Sequence, residues 1–449
     1  MKPSRWLILS ETDCGTLAYS SFTGALAKVN AEFFAVIDAL KAGQTIDTNS
    51  SLVREMVRCG FIVDDDTDEL ALYESAIQNQ RQKKASLSLV IAPTLACNFG
   101  CPYCFEQHRN ITMSGQVQAA ITDYVRKKSA SGEIKSFSVM WYGGEPLLEP
   151  AIIETLSEKF MEICAAEGVR YSASIITNGY LIDESAAKLL KRCDVSFAQI
   201  TIDGSPEVHN RRRVLAGAPE SGTFGRIVDG VNFLLAAGIQ VTVRMNVDRD
   251  NADGTEECIA ILAQEIRDKS SVLFSPGHVM SYEGEYSGCL TKEEYGAVLL
   301  ESMKHCAAHG LPFSRKFSMP KSRTSYCTAT QSGSFVIDPE GLVYKCWNDV
   351  GIKDYSIGTV YELCDDDLRS EFEASGWGRY SQMNYESCRE CRILPLCAGG
   401  CPRGAVHFGK RPNCEACKYI LDVLLEAQCM NVKGGAKHGN SDRTFTASA

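Results

Sequence analysis

This sequence has no apolar run of the roughly 20 residues that a membrane-spanning helix needs. Its first residues, MKPSRWLILSETDCGT, hold too short an apolar stretch for a secretory signal. Long basic runs are missing as well, and the formal net charge is −10. Nucleic-acid backbones are gripped by clustered Lys and Arg, so that class of partner is excluded. These absences predict a cytoplasmic protein with neither a membrane nor a nucleic acid as partner. Composition is otherwise unbiased, with 45% hydrophobic and 23% charged residues, so real cores can be buried. A length of 449 residues is long for one domain and suits two or three.

What is abundant is cysteine, with 20 residues. In a large chain of the cytoplasm these point to metal or redox chemistry rather than disulfides. Three crowd into 97–104 and six into 388–417. The scattered ones, such as Cys59, Cys164 and Cys193, read as small buried hydrophobes.

Residues 1–75 predict a small α+β unit. Two short strands are followed by two helical stretches that stop at Gly43 and Gly60, and FIVDDDTDELALY reads as a strand, an acidic turn and a second strand. That outline is winged-helix-like. Residues 76–85 suit a linker or linking helix. From 86 to 280 strand and helix alternate, which implies a parallel sheet and an α/β fold. The candidate strands are SLSLVIAP, FSVMWYGG, YSASIITNG, SFAQITIDG, IQVTVRMNV and SVLFSP. Six such units make a partial (β/α)6 barrel, with chemistry expected at the strands' C-terminal ends. Residues 281–325 form a connecting region with helical character, 326–425 a second cysteine-rich domain, and 426–449 a polar, disordered tail.

Cys97, Cys101 and Cys104 follow the first barrel strand. Three thiolates on one loop can hold three irons of a [4Fe–4S] cube and leave the fourth open. Half of a zinc site is the alternative on spacing alone. The CxxxCxxC spacing, with Tyr103 before its third cysteine, resembles the signature of radical S-adenosylmethionine (radical SAM) enzymes. In that family the open iron binds the cofactor, whose cleavage yields a 5′-deoxyadenosyl radical that abstracts hydrogen from substrate. Gly143, Gly144 and Glu145, followed by Pro146, resemble the family's GGEP element. The resemblance also implies cofactor contacts for Asn178, Thr201, Arg213 and Asn246. Arg211 and Arg212 adjoin Arg213 and leave the choice among the three open.

The later cysteines resemble a SPASM domain, an extension of radical enzymes that modify peptides and proteins. Cys388-x2-Cys391-x5-Cys397-x3-Cys401 and the element running from Gly341 to Cys346 carry that likeness. Zinc is again the alternative. The resemblance implies two auxiliary [4Fe–4S] clusters, making three in all. Cys388, Cys391, Cys397 and a late cysteine, Cys417, would hold the distal one. Cys327, Cys346 and Cys401 would hold the proximal one, with Cys414 as its fourth ligand or one iron open. Asp338, Glu340 and Asp349 are candidates for a base by position alone.

The first 75 residues resemble, in outline, the leader-recognition element of enzymes that mature ribosomally made peptides. The implied function is a peptide maturase that installs a crosslink in a precursor peptide, a cysteine thioether for preference, with flavodoxin or ferredoxin as reductant. The alternatives are a carbon–carbon crosslinking cyclase, an anaerobic sulfatase-maturing enzyme and a non-catalytic metal-bearing binder.

Overall fold

The computed structural model describes residues 1–81, 85–281, 286–314, 321–366, 368–411 and 413–434. The chain divides into two compact units. One runs over 82–314 and 327–379, and the other joins 1–81, 315–326 and 380–449.

The first unit is built on a nine-stranded sheet. Six strands run parallel and in chain order: Ser86–Ile91, Ser136–Trp141, Arg170–Thr177, Val195–Thr201, Gln240–Val247 and Val272–His278. All six predicted strands are present. Alternation explains them. In Ser136–Trp141 every second residue (Phe137, Val139, Trp141) is buried. The intervening helices start and stop on local signals. Pro150 opens the helix Pro150–Glu167, and Gly168 closes it in the left-handed conformation. Lys292–His309 opens on a capping box made by Thr291 and Glu294.

The sheet does not end with the barrel. Ser334–Ile337, from the cysteine-rich region, pairs in parallel with the first barrel strand. Leu342–Tyr344 and Gly358–Thr359 continue it antiparallel. The predicted boundary at 326 therefore does not separate a second domain, because 327–379 complete the barrel's own sheet.

The second unit holds the N-terminal module and the late cysteines. Its sheet comprises Leu7–Thr12, Gly15–Ser20 and Leu26–Lys28, all antiparallel. Helices Ala31–Lys41 and Ser51–Arg58 follow as expected. The predicted closing hairpin is absent. Ile62–Val63 pairs with Lys2–Pro3, and ELALY opens the helix Glu69–Arg81. The Asp68 carboxylate accepts from the backbone N–H groups of Leu70 and Ala71 at 3.1 and 3.0 Å, which caps that helix. The helix crosses most of the predicted linker, while 82–84 lie outside the described residues.

That helix presents Tyr73 and Ile77 to a core shared with Trp6, Met383 and Leu394. A neighbouring core joins Leu17 and Tyr19 to Leu396, Leu421 and Leu425. The Tyr73 hydroxyl donates to the carbonyl of Arg323 at 2.8 Å. The last helix, Cys417–Gly434, runs past the predicted start of the tail at 426, because Leu421, Leu424 and Leu425 are buried at helical spacing. The rest of that predicted tail, from 435, lies outside the described residues.

Candidate active site

The loop after the first barrel strand carries Cys97, Cys101 and Cys104 as free thiols. Backbone bonds fix it on two sides. Gly100 N–H donates to Val214 O at 2.9 Å and Ala216 N–H to Asn98 O at 2.8 Å. On the other side Glu145 N–H donates to Ala96 O at 2.9 Å. This approach requires glycine at 143 and 144. A Cβ on Gly143 would lie 2.5 Å from Thr94 O, and one on Gly144 only 2.3 Å from Ala96 O.

Burial pushes the Cys97 thiol up to about 12, with Glu145, Cys101 and Cys104 adding to it. Burial also pushes Cys104 up to about 11, Glu106 and Cys101 contributing. The thiols thus sense one another across a shared space. Among the described residues, no three Cys, His, Asp or Glu side chains converge into a formed metal cage. The donor set fits iron all the same. Three sulfurs on one pinned loop suit a [4Fe–4S] cube, and binding metal drives off their protons.

Beside this loop lies a buried polar network. The Tyr103 hydroxyl donates to the carboxylate of Asp203. Arg213 donates to the Tyr103 oxygen at 2.9 Å and lies 4.0 Å from Asp203. Burial opposes the Arg213 charge, but Tyr103, Cys101 and Asp203 more than offset it and hold the guanidinium above its ordinary range. Its Nε is buried without a partner. Asn246 receives Arg244 Nε at 2.8 Å, and its backbone N–H donates to Asp203 at 2.9 Å. Thr201 is buried at the end of the fourth barrel strand.

This network separates the three adjacent arginines. Arg211 is exposed and pairs with Glu207 at 3.2 Å. Arg212 is spent in a two-pronged pair with Asp248, at 3.1 and 2.6 Å. Arg212 is also buried with an unpartnered Nε and also acts on Cys101, but Arg213 acts on Cys101 more strongly and gives its terminal nitrogen to the Tyr103 hydroxyl at 2.9 Å. Its donor set fits a carboxylate.

The side chain of Glu145 is spent within the protein. Its carboxylate is fully buried and taken up by protein donors: Leu147 N–H at 3.0 Å, Thr177 hydroxyl at 2.8 Å and Asn178 N–H at 2.8 Å. It ties the second strand end to the third and acts by positioning. Asn178 donates to Asn98 Oδ1 at 2.7 Å and so reaches the cysteine loop. Asn251, which no motif marks, joins Asp203 to this network. Asn251 bridges the carbonyls of Asp203 and Asn246 at 2.9 and 2.8 Å. The sequence signal for Asp203 is a charged residue at a strand end, as in DG after the fourth strand.

A second surface of this unit is aromatic. Tyr142 stacks on half-exposed Trp347 at 5.9 Å between ring centroids. Burial raises Glu106, hydrogen-bonded to Tyr142, up to about 7. Trp347 directly follows Cys346, which with Cys327 belongs to the barrel unit. Of the candidate bases, Asp338 is committed to a turn, accepting from Glu340 and Leu342 N–H groups and from the Tyr344 hydroxyl at 2.9, 3.0 and 3.0 Å. Glu340 pairs with Arg109 at 2.8 Å. Asp349 is buried.

The other six predicted ligands, Cys388, Cys391, Cys397, Cys401, Cys414 and Cys417, lie in the second unit. The charge of Cys414, after burial, is the main influence raising Cys388, while its neighbour Asn413 pairs with Cys401. Cys417 in turn feels Cys397 and Cys391.

Residues 91–261 match the Radical SAM superfamily. They thus carry a radical SAM domain. The chain is an enzyme, and that domain implies S-adenosylmethionine and a [4Fe–4S] cluster. The radical SAM chain is similar to a cysteine-type anaerobic sulfatase-maturating enzyme of Clostridium perfringens, 24% identical over 374 residues, or 77% of this chain and 94% of that one. It is similar to the radical SAM cyclopropyl synthase TigE of Paramaledivibacter caminithermalis, 21% identical over 495 residues, or 95% and 98% of the two chains. Two solved structures share its fold. One is anSMEcpe with bound AdoMet and a Cp18Cys peptide, with TM-score 0.60, 22% identity and 78% and 98% coverage. The other is Streptococcus suis SuiB bound to its precursor peptide SuiA, with TM-score 0.51, 14% identity and 92% and 98% coverage.

Proposed function

We propose that this radical SAM enzyme matures a ribosomally made precursor peptide by installing a crosslink, a thioether from a cysteine sulfur to a carbon. The carrying observation is the second unit, in which the N-terminal α+β module and the cysteine run 388–417 share two cores. A peptide-recognition module packed with cluster-bearing cysteines suits an enzyme whose substrate is a peptide with a leader. Similarity that extends over 95% of the chain to TigE, and over 92% to SuiB with its precursor peptide, supports this reading.

Cys97, Cys101 and Cys104 would hold the cofactor's cluster, Arg213 its carboxylate, and the backbone at Gly143 and Gly144 its amino end. Tyr103, Asn178, Thr201 and Asn246 would line the remainder. When bound, cluster and cofactor supply the radical that removes one hydrogen atom from the peptide. Closing a carbon–sulfur bond then releases one proton from the thiol and one electron. Auxiliary clusters on Cys327, Cys346 and Cys401, and on Cys388, Cys391, Cys397 and Cys417, would accept that electron. Either Cys414 completes the proximal cluster, or one of its irons is open and able to bind the substrate thiolate.

The similarity to a sulfatase-maturating enzyme favours a second reading, oxidation of a single side chain to formylglycine. Anaerobically reconstituted enzyme separates the two. With dithionite, S-adenosylmethionine and a small cysteine-containing precursor, the first reading predicts 5′-deoxyadenosine, about twelve irons per chain and a peptide that has lost two hydrogens but kept its sulfur. Loss of that sulfur to an aldehyde would sink the crosslink. An open iron predicts that Cys414→Ala keeps the full iron content, and loss of the proximal cluster would refute it.

A further inference from the structure

Arg244 is a cation inside the barrel unit that the reading above leaves without a task. It lies in the fifth barrel strand, Gln240–Val247, whose alternation sets its direction. Val243, Met245 and Val247 are fully buried on one face, and Arg244 and Asn246 share the other, half-buried. Asn246 Nδ2 stands 3.5 Å from the Tyr103 hydroxyl, so that second face is the one turned toward the cofactor network. The guanidinium makes one hydrogen bond among the described residues, from its Nε to Asn246 Oδ1 at 2.8 Å.

The neighbouring strand makes room for it. Gly277 lies opposite Asn246, and a Cβ there would come within 2.4 Å of Arg244 Cζ and Nε and 2.5 Å of Nη2. Position 277 is extended strand without a positive φ, so its backbone does not call for glycine. Glycine weakens a strand interior unless something packs close against it, and here the guanidinium takes the vacated space. No charge answers this cation. Asp203 is engaged by Tyr103 and Arg213, and Asp248 by Arg212. The facing positions on the two adjacent strands, Gln199, Thr201, Leu273 and Ser275, are neutral. Nη1 and Nη2 are left without a protein partner and reach solvent. Together they form an end-on fork that matches a carboxylate, and low-dielectric walls strengthen such a pair.

We propose that Arg244 anchors a carboxylate of the substrate peptide through Nη1 and Nη2, and so selects which part of the peptide is presented to the radical. The inference rests on the peptide-substrate reading above. The carboxylate is an Asp or Glu side chain or the peptide's own C-terminus, which offer the fork the same chemistry. The cofactor's carboxylate has Arg213. Arg244 lies two residues, roughly 7 Å, further from the strand end than Asn246, so a group held there sits beneath the cofactor network. Fixing one end of the peptide at that depth limits which of its carbons can approach the radical.

The test measures binding to the full-length chain, reconstituted anaerobically and loaded with S-adenosylmethionine. The probes are synthetic cysteine-containing peptides of alanine and glycine. One carries a glutamate and an amidated end, one a glutamine and a free C-terminal carboxylate, and one a glutamine and an amidated end. A carboxylate peptide should bind about tenfold tighter than the all-amide one, the worth of a charge-assisted bond. Which of the two does so names the source. In Arg244→Gln the preference should fall below about twofold, and in Arg244→Glu a peptide with lysine in place of glutamate should take over. Gly277→Ala, which pushes the guanidinium aside but keeps its charge, should lower the preference too, and serves if the Arg244 variants do not fold. Equal binding of all three peptides by the unaltered chain, or a preference that survives Arg244→Gln, overturns the proposal. A fall in S-adenosylmethionine affinity as large as the fall in preference would hand the guanidinium to the cofactor and overturn it as well. If no peptide binds and none is crosslinked, the peptide-substrate reading fails and this inference with it. Crosslinking without any preference for a carboxylate sinks this inference alone.

Discussion

Three arginines in a row pose a question that only side-chain partners answer. Arg211 and Arg212 spend their terminal nitrogens on the carboxylates of Glu207 and Asp248, at 3.2 and 2.6 Å, whereas Arg213 gives its own to the Tyr103 hydroxyl and stands 4.0 Å from Asp203. Arg213→Ala should therefore weaken S-adenosylmethionine binding by roughly tenfold or more, the worth of a charge-assisted bond. Arg211→Ala should change it by less than about twofold, as for surface substitutions generally. Equilibrium dialysis on the reconstituted protein checks both, and equal losses would speak against the assignment. His209 offers a pH test in the same network. It is fully buried, and its Nδ1 accepts from Asp203 N–H at 3.2 Å. Burial, helped by the Arg213 charge, holds its pKa well below 6.5. The unfolded chain takes up a proton on this residue below about pH 6.5 and the folded chain does not. Stability owed to the neutral ring is thus complete above that pH. It drains as pH falls from 6.5 toward the folded value, by up to about 1.4 kcal/mol per unit. His209→Asn keeps an acceptor for Asp203 and should flatten that slope in denaturant titrations of the barrel unit. An unchanged slope would put the acid sensitivity elsewhere.

At the scale of elements, strand and helix were legible wherever period and punctuation agreed. The six barrel strands each end in a glycine, proline or asparagine signal, and their alternation leaves little choice. ELALY was not legible, because five residues satisfy either period. The decision comes from Asp68 in front of it and from Glu69, Tyr73 and Ile77, which recur every fourth residue and are all buried. Glu69 also receives the Ser4 hydroxyl at 2.5 Å and Arg5 N–H at 2.8 Å, partners that no local pattern announces. Asp68→Ala should cost about 1 kcal/mol in a thermal melt, and Asp68→Ser should recover most of it. Indifference to both would mean that packing alone holds the helix. The site was legible as a list of motifs but not as a division of labour. GGEP says nothing of Glu145 spending its carboxylate on Leu147, Thr177 and Asn178.

Taken whole, the molecule assembles from pieces far apart in sequence. The sequence reading cut the chain at 75, 326 and 425, where composition changes. The folded units instead join 1–81 to 380–434, because apolar side chains such as Trp6 and Met383 carry no mark of which distant partner will cover them. Removing residues 1–81 should therefore uncover Met383, Leu394, Leu396 and Leu421 and cost the chain about four irons, one cluster's worth, while the barrel keeps its own. Iron analysis of that truncation decides the matter, and full iron would show that the late cysteines fold unaided. The long-range bond from the Tyr73 hydroxyl to Leu394 O, at 3.4 Å, spans 321 residues. A ribosome adding 5–20 residues per second needs about 16–64 s to cover that span. Throughout, the segment synthesised first waits with Trp6, Leu17, Tyr19 and Tyr73 bare, open to chaperones and proteases alike. Residues 1–81 can thus complete their cores only after 380–434 have been made.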